Sequence, residues 1–339
     1  LFAAALVFSG CSSAPVTYYE LPAEFKFPEK KAEFISKYSS CIKNKKIFLD
    51  PGHGGADRKN RGSQGLTTEA DANLRVALAL REFLTKAGAF VQMSRSSDTT
   101  VDLKYRSILA NKSAADMFIS IHHNAPASAE DVWTNYTSTY YHAKETDYEY
   151  EPCEHDMARY VQRDLAYAMR NSGGPGSFDG TYSDYMIYPG EGFSVLRVTN
   201  IPAILVECGY HTNLNEERRI AIEEFNRIEA WGIFRGIVRY FSAGIPEVIF
   251  ENSGEVFIGG DINLSFILQD PSGIKPASAV IYFDSLQVKY DAYETGKSAK
   301  INVNLAGVKP GKHVIRVIAE NKNGNHSLPF SKEIVVSKK

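Results

Sequence analysis

Ile47-Phe-Leu-Asp-Pro-Gly-His-Gly-Gly-Ala-Asp57 decides how the rest of the chain is read. Ile47, Phe48 and Leu49 predict a short buried strand, and Asp50-Pro-Gly52 stops it. His53 then falls on a glycine-flanked turn, where Gly52, Gly54 and Gly55 let a ligand or metal come close to the backbone. Glu69 opens the helical stretch 69–87 that follows. An imidazole at a strand end and a carboxylate at the next helix start can converge on one point. Both are zinc ligands, and a catalytic zinc site takes three protein ligands and leaves one position open. His122, just past the apolar run Met117-Phe-Ile-Ser-Ile121, is the third candidate.

Outward from that stretch, helical and extended segments alternate. Leu74, Ala77, Leu78, Leu80, Leu84 and Ala87 recur near helical spacing, so one face packs on a sheet. Phe90–Ser94 predicts a second strand and Val101–Ser113 a helix with Leu103, Ile108 and Leu109 turned inward. Met117–Ile121 is a third strand, and Asn135–His142, rich in Thr and Tyr, a fourth at an edge or antiparallel. Lys144–Asp156, with six acidic residues, reads as a solvated loop, Met157–Asn171 as a helix and 172–192 as a long glycine-rich loop. Ala203–Glu207 is another buried strand, and Leu214–Phe241 a long closing helix. The alternation predicts a three-layer αβα domain with a largely parallel sheet, over residues 46–243. Ligand sites in such sheets lie beyond the carboxyl ends of the strands, which is where His53, His122 and Glu207 fall. After Pro246 the texture changes to short alternating runs separated by turns such as Pro271-Ser-Gly273 and Asn323-Gly-Asn325. That predicts a small all-β sandwich over 246–339, and Leu305–Asn325 resembles the last strands of a bacterial immunoglobulin-like domain.

The chain has 339 residues, 44% hydrophobic and 23% charged, enough for two globular domains. A net charge of −2 gives no reason to expect nucleic acid as a partner. Residues 1–11 read as a truncated lipoprotein signal peptide: an apolar run ends in Phe8-Ser9-Gly10-Cys11, which resembles a lipobox. Cys11 would then anchor the protein to a membrane through lipid, with residues 12–45 as a polar tether and leader. Cys41, Cys153 and Cys208 remain, an odd number that argues against a full disulfide framework.

Three segments together carry a resemblance. They are Leu49–Gly55 with Glu69-Ala-Asp-Ala-Asn73-Leu74, then Ala115–Ala125 around Ile-His122-His-Asn124, then Pro202–Asn213 around Leu-Val-Glu207-Cys-Gly209. This pattern resembles the zinc-dependent N-acetylmuramoyl-L-alanine amidases of the amidase 3 type. The resemblance implies zinc held by His53, Glu69 and His122, with Glu207 as the catalytic carboxylate. It implies a peptidoglycan hydrolase that cuts between N-acetylmuramic acid and the L-alanine of the stem peptide. Such an enzyme would act on the periplasmic side of a bacterial cell envelope, in wall remodelling or daughter-cell separation. A zinc peptidase cutting within the stem peptide, or a non-catalytic wall-binding lipoprotein, are the alternatives. Residues 246–339 would be a spacer or bind the wall or a protein partner. His123, where the family usually has a small residue, is expected to line the cleft or pair with an acidic neighbour, because successive strand residues point to opposite faces. Arg95 and Arg106 match family positions with structural roles; Asn213 is expected to cap a helix, His211 to cap or sit at the surface, and Arg197 and Tyr182 to touch substrate.

Overall fold

The computed structural model describes residues 19–173, 179–254 and 256–338. The chain opens with α1 (Ala23–Lys26) and α2 (Pro28–Ile42), then alternates β1 (Lys46–Pro51), α3 (Glu69–Lys86), β2 (Phe90–Met93), α4 (Leu103–Ser113) and β3 (Met117–Asn124). Next come β4 (Ser138–Tyr141), α5 (Pro152–Met169), β5 (Thr181–Ser183), α6 (Ser194–Arg197), β6 (Ala203–Tyr210), α7 (Leu214–Ile220) and α8 (Glu223–Ser242).

The six strands form one sheet in the order β2-β1-β3-β6-β4-β5. β2, β1, β3 and β6 run parallel, but β4 is antiparallel to β6, and β5 follows β4. The sheet is therefore mixed, which corrects the expectation of a largely parallel one. Helical crossovers keep β1, β2 and β3 parallel; the 125–137 connection holds no helix, so β4 returns in the opposite sense. Strand alternation divides the core cleanly. Ile47, Leu49, Ile119, Ile121, Ile204 and Val206 face the layer of α3, α5 and α8, among Leu80, Phe83, Trp231 and Phe234. Phe48, Phe118 and Leu205 face the other side, with Ala110 of α4 and Val195 and Leu196 of α6.

Three local readings also change. α4 exposes Leu103 and Ile108 and buries Arg106, Ser107 and Ala110, because its inner face meets buried Asp50 and strand-end carbonyls. The acidic stretch 144–156 is not all solvated: α5 begins at Pro152, and Glu154 and Asp156 are buried. The predicted long helix is two, broken between Ile220 and Glu223. The leader contributes α2, which buries Ile35 and Ile42 and adds Phe34 to the core.

The carboxy-terminal region is all β, in strands β7 (Glu247–Phe250), β8 (Phe257–Ile258), β9 (Gly260–Gln269), β10 (Val280–Phe283), β11 (Leu286–Gln287), β12 (Asp291–Thr295), β13 (Ser298–Val308), β14 (Gly311–Ile318) and β15 (Phe330–Ser337). They make two sheets, β11-β10-β14-β15-β8 and β12-β13-β9-β7. Ile262, Leu264, Phe266 and Leu268 of one sheet share a core with Ile315, Val317 and Ile334 of the other. Buried Arg316 ties this region to the α/β body: it donates to the carbonyls of Tyr148 and Tyr150 and pairs with Glu151 at 2.9 Å. Asn325 donates to the carbonyls of Tyr240 and Gly244, and the His326 N–H donates to Asp156. These contacts fall at the start of α5 and the end of α8, on the amino-end side of the parallel strands.

Cys41, Cys153 and Cys208 are free thiols. The lipid-anchor expectation at Cys11 lies outside the described residues, among which no helix is long and apolar enough to cross a membrane.

Candidate metal centre

The carboxyl ends of β1 and β3 bring two histidines together. Beyond β1, a Cβ on Gly52 would lie 2.1 Å from Cε1 of His122, so only glycine leaves room for that ring. His53 follows in the left-handed region, at φ +59°. Two buried guanidiniums hold this turn. Arg106 donates to the carbonyls of Pro51 and His53, at 2.8 and 2.9 Å, and pairs with buried Asp50 at 2.7 Å. Arg95 donates to the carbonyls of Pro51, Gly52 and Ala70. Burial, then the like charge of Arg106, pulls the Arg95 pKa down to about 10, which still leaves it cationic at neutral pH. The structural role expected of both arginines is thus fastening the backbone under His53.

Glu69 begins α3, just after the capping residue Thr68, whose side chain accepts from the Asp71 N–H. It is 3% exposed. Its Oε1 lies 2.9 Å from His122 Nδ1, and its Oε2 lies 3.1 Å from His53 Nε2. Asn73, one turn on, donates to Oε1, and Asn60 donates to Oε2 at 2.6 Å. One ligand atom from each of His53, Glu69 and His122 fits within a 4.8 Å cluster that could hold a metal ion. Burial raises the Glu69 pKa, but the two imidazoles outweigh it and hold the carboxyl well below its usual range. For His53, burial lowers the pKa and the carboxylates of Glu69 and Asp57 outweigh it, lifting it to about 9.

Glu207 pairs with His122 across the β3–β6 ladder. Its Oε2 is shut off from solvent and has no hydrogen-bond partner among the described residues. Burial first, then the charge of Glu69, pushes its pKa well above the carboxylate range. The site thus combines two imidazoles and a carboxylate on one side with a second carboxylate that is more basic than usual.

His123 takes no part in the cluster. It points to the opposite face of β3, where Nδ1 meets Asn73 Oδ1 at 2.8 Å and Nε2 meets Glu229 Oε1 at 3.1 Å, all fully buried. The acidic neighbour expected for it is Glu229 of α8. His211 is buried too, with Nδ1 on the His123 carbonyl. Asn213 caps α7, accepting from the N–H groups of Asn215 and Glu216. Neither Arg197 nor Tyr182 joins the cluster. Tyr182 packs in the core against Tyr140. Arg197 lines a cavity of about 310 Å³ with Glu154 and Pro329, at the far end of the sheet. Sequence reasoning missed Asn60, Asn73 and Glu229. Asn73 had a signal, lying four residues after Glu69 on one helix face; Glu229, 106 residues from His123, had none.

Comparison with known proteins agrees with this geometry. A family model described as N-acetylmuramoyl-L-alanine amidase matches residues 47–239. The germination-specific N-acetylmuramoyl-L-alanine amidase of Bacillus subtilis strain 168 is 31% identical over 232 residues, 64% of this chain and 89% of that one. A probable cell wall amidase LytH of Staphylococcus epidermidis is 30% identical over 206 residues, 60% of this chain and 61% of its own length. The chain thus spans about three fifths of that relative. Among solved structures, an N-acetylmuramoyl-L-alanine amidase from Clostridium difficile 630 is 34% identical with a TM-score of 0.50, covering 59% of this chain and 97% of that one. The matched span takes in more than half of the chain and every residue of the histidine–glutamate cluster, so the chain belongs to the amidase 3 family of N-acetylmuramoyl-L-alanine amidases.

Proposed function

We propose that the chain is a zinc-dependent peptidoglycan hydrolase that cuts the amide between N-acetylmuramic acid and the L-alanine of the stem peptide. The observation that carries this reading is one buried carboxylate, Glu69, gathering two imidazoles beside a second carboxylate, Glu207, with an unpartnered oxygen. The donor set fits zinc, which accepts imidazole nitrogen and carboxylate oxygen in three-ligand catalytic sites. When bound, zinc supplies Lewis-acid polarisation of the scissile carbonyl and activation of water at neutral pH.

The protein's own groups do the rest. His53, Glu69 and His122 are assigned as the metal ligands, and Asn73 and Asn60 fix the Glu69 carboxylate by donating to its two oxygens. Glu207 takes a proton from the attacking water and hands it to the departing amine nitrogen. The raised pKa suits both halves of that transfer. The 125–137 connection carries no helix to lie over the site, which supports an accessible cleft. Residues 247–337, two sheets joined to the far end of the α/β body, support an immunoglobulin-like spacer or wall-binding module that takes no part in the cleft. Lipid anchoring at Cys11 and action on the periplasmic side of the cell envelope complete the reading.

The test is the purified chain from residue 19 onward on isolated sacculi, with and without chelator, and mass analysis of what is released. Chelator-sensitive release of intact stem peptides from uncut glycan is the expected result. Shortened peptides still attached to glycan would make it a peptidase, and binding without release a wall-binding protein.

A further inference from the structure

Behind the ligand cluster a chain of polar side chains runs through the core. Asn73, His123, Glu229 and Asn226 are each no more than 2% exposed, so their partners must come from the protein. The chain starts at the ligand carboxylate. Asn73 Nδ2 donates to Glu69 Oε1 at 3.3 Å and to the Gly52 carbonyl at 3.2 Å. Both are acceptors only, so the amide faces them with its nitrogen and turns Oδ1 the other way. There Oδ1 lies 2.8 Å from His123 Nδ1, which must therefore carry a hydrogen. His123 Nε2 lies 3.1 Å from Glu229 Oε1. Glu229 Oε2 accepts from Asn226 Nδ2 at 2.9 Å, and Asn226 Oδ1 accepts from Arg75 Nε. Arg75 stands two residues beyond Asn73 on α3, so the chain closes on the helix where it began. Each side chain in it is held from two sides, and the orientation of Asn73 is set by His123.

We propose that His123 is a positioning residue of the metal centre. By donating from Nδ1 to Asn73 Oδ1, it holds the Asn73 amide nitrogen on Glu69 Oε1 and so keeps the Glu69 carboxylate turned to His53 and His122. This rests on the assignment of Glu69 as a metal ligand. The His123 backbone N–H reaches the same oxygen at 3.3 Å, but any residue there would supply that bond. The side chain's own part runs through Asn73. Without the Nδ1 hydrogen, Asn73 Oδ1 is a buried acceptor with no donor, and the amide gains by turning away from Glu69. Glu229 holds the far nitrogen, and with it the angle of the ring. Outer partners that orient a ligand in this way set metal affinity by about 10–100-fold.

The imidazole can be replaced one end at a time. An Asn side chain carries its amide nitrogen as many bonds from Cα as His Nδ1, and a Gln side chain as many as His Nε2. His123→Asn should therefore keep the donor to Asn73 and lose the partner of Glu229, while His123→Gln does the reverse. Zinc affinity of the full chain is measured by competition with a chromogenic chelator, and stability by denaturant unfolding of the metal-free chain. His123→Gln should unfold near the parent's midpoint and bind zinc about tenfold more weakly. His123→Asn should unfold at a lower midpoint and bind zinc as the parent does; if it is too unstable to purify, His123→Gln decides alone. Asn73→Ala should weaken zinc binding too, and adding His123→Gln to it should weaken it no further. Zinc affinity unchanged in His123→Gln, or following the unfolding midpoint across the variants, overturns the proposal and leaves Glu69 a ligand. A parent that binds zinc no more tightly than Glu69→Ala overturns the ligand assignment itself.

Discussion

Two carboxylates meet β6, one toward each end, and they are put to opposite uses. At the amino end Glu154 reaches in from α5, and its two oxygens accept the N–H groups of Ala203 and His142, at 2.9 and 3.4 Å. Toward the carboxyl end, Glu207 leaves Oε2 with no partner among the described residues. Burial raises both, Glu154 to about 8 and Glu207 well above the usual range, the latter helped by the charge of Glu69. A raised pKa is therefore no mark of chemistry by itself. The distinction lies in unused hydrogen-bonding capacity beside the histidine–glutamate cluster. A satisfied carboxylate fastens two strands; an unsatisfied one is ready to take a proton.

The strongest way to break this comparison is Glu207→Gln. Stem-peptide release should fall by about 10²–10⁴-fold, and the melting temperature should not fall, because the oxygen lost had no partner. A melting point that drops together with activity would place Glu207 in the same class as Glu154. His123→Ala makes a third case by leaving buried Glu229 without its imidazole. Denaturant unfolding should show a loss of about 3–5 kcal/mol. Metal content measured by plasma emission should survive His123→Ala and vanish with His122→Ala.

Glu154→Gln should cost about 1–3 kcal/mol through imperfectly satisfied backbone N–H groups, with activity per folded molecule unchanged. It should also change the pH dependence. The folded pKa of about 8 lies above the ordinary value of 4.5, so the folded chain keeps a proton that the unfolded chain gives up. That stabilisation is complete below the unfolded value and is lost as pH rises through about 8. The parent's advantage over Glu154→Gln in thermal melts should therefore shrink between about pH 5 and pH 8. The smallest effect is expected from Asn213→Ala, about 1 kcal/mol for the lost α7 cap. Its cost should add to that of Glu207→Gln if the bonds past that strand end act independently of Glu207.

The cluster was legible because its parts lie next to strong local signals. Three apolar runs fixed β1, β3 and β6, and a histidine or glutamate at the end of each had to reach one sheet edge. Alternation along β3 separated His122 from His123 before any contact was known. The Thr- and Tyr-rich stretch 135–142 was expected at an edge or antiparallel, and β4 does run antiparallel to β6. What was not legible is β5, only three residues long inside the glycine-rich stretch, which pairs parallel to β4 and makes the reversed part of the sheet two strands wide. Glu154 and Asp156 read as solvated acids because their partners, Ala203 N–H and His326, lie 49 and 170 residues away. Leu103 and Ile108 were placed inward by their type, whereas α4 turns its inner face to the polar seam of Arg106 and Asp50.

The clasp around Arg316 has a mechanical consequence. Arg316, Asn325 and His326 grip the start of α5 and the end of α8, so a pull on the β region is carried into the sheet from its amino end. The load path runs through Asp156, Tyr240 and Gly244, and the histidine turn at the opposite edge lies off it. Tugged from that side, the molecule behaves as a handle and a blade forged in one piece, with the strain taken up where nothing is cut.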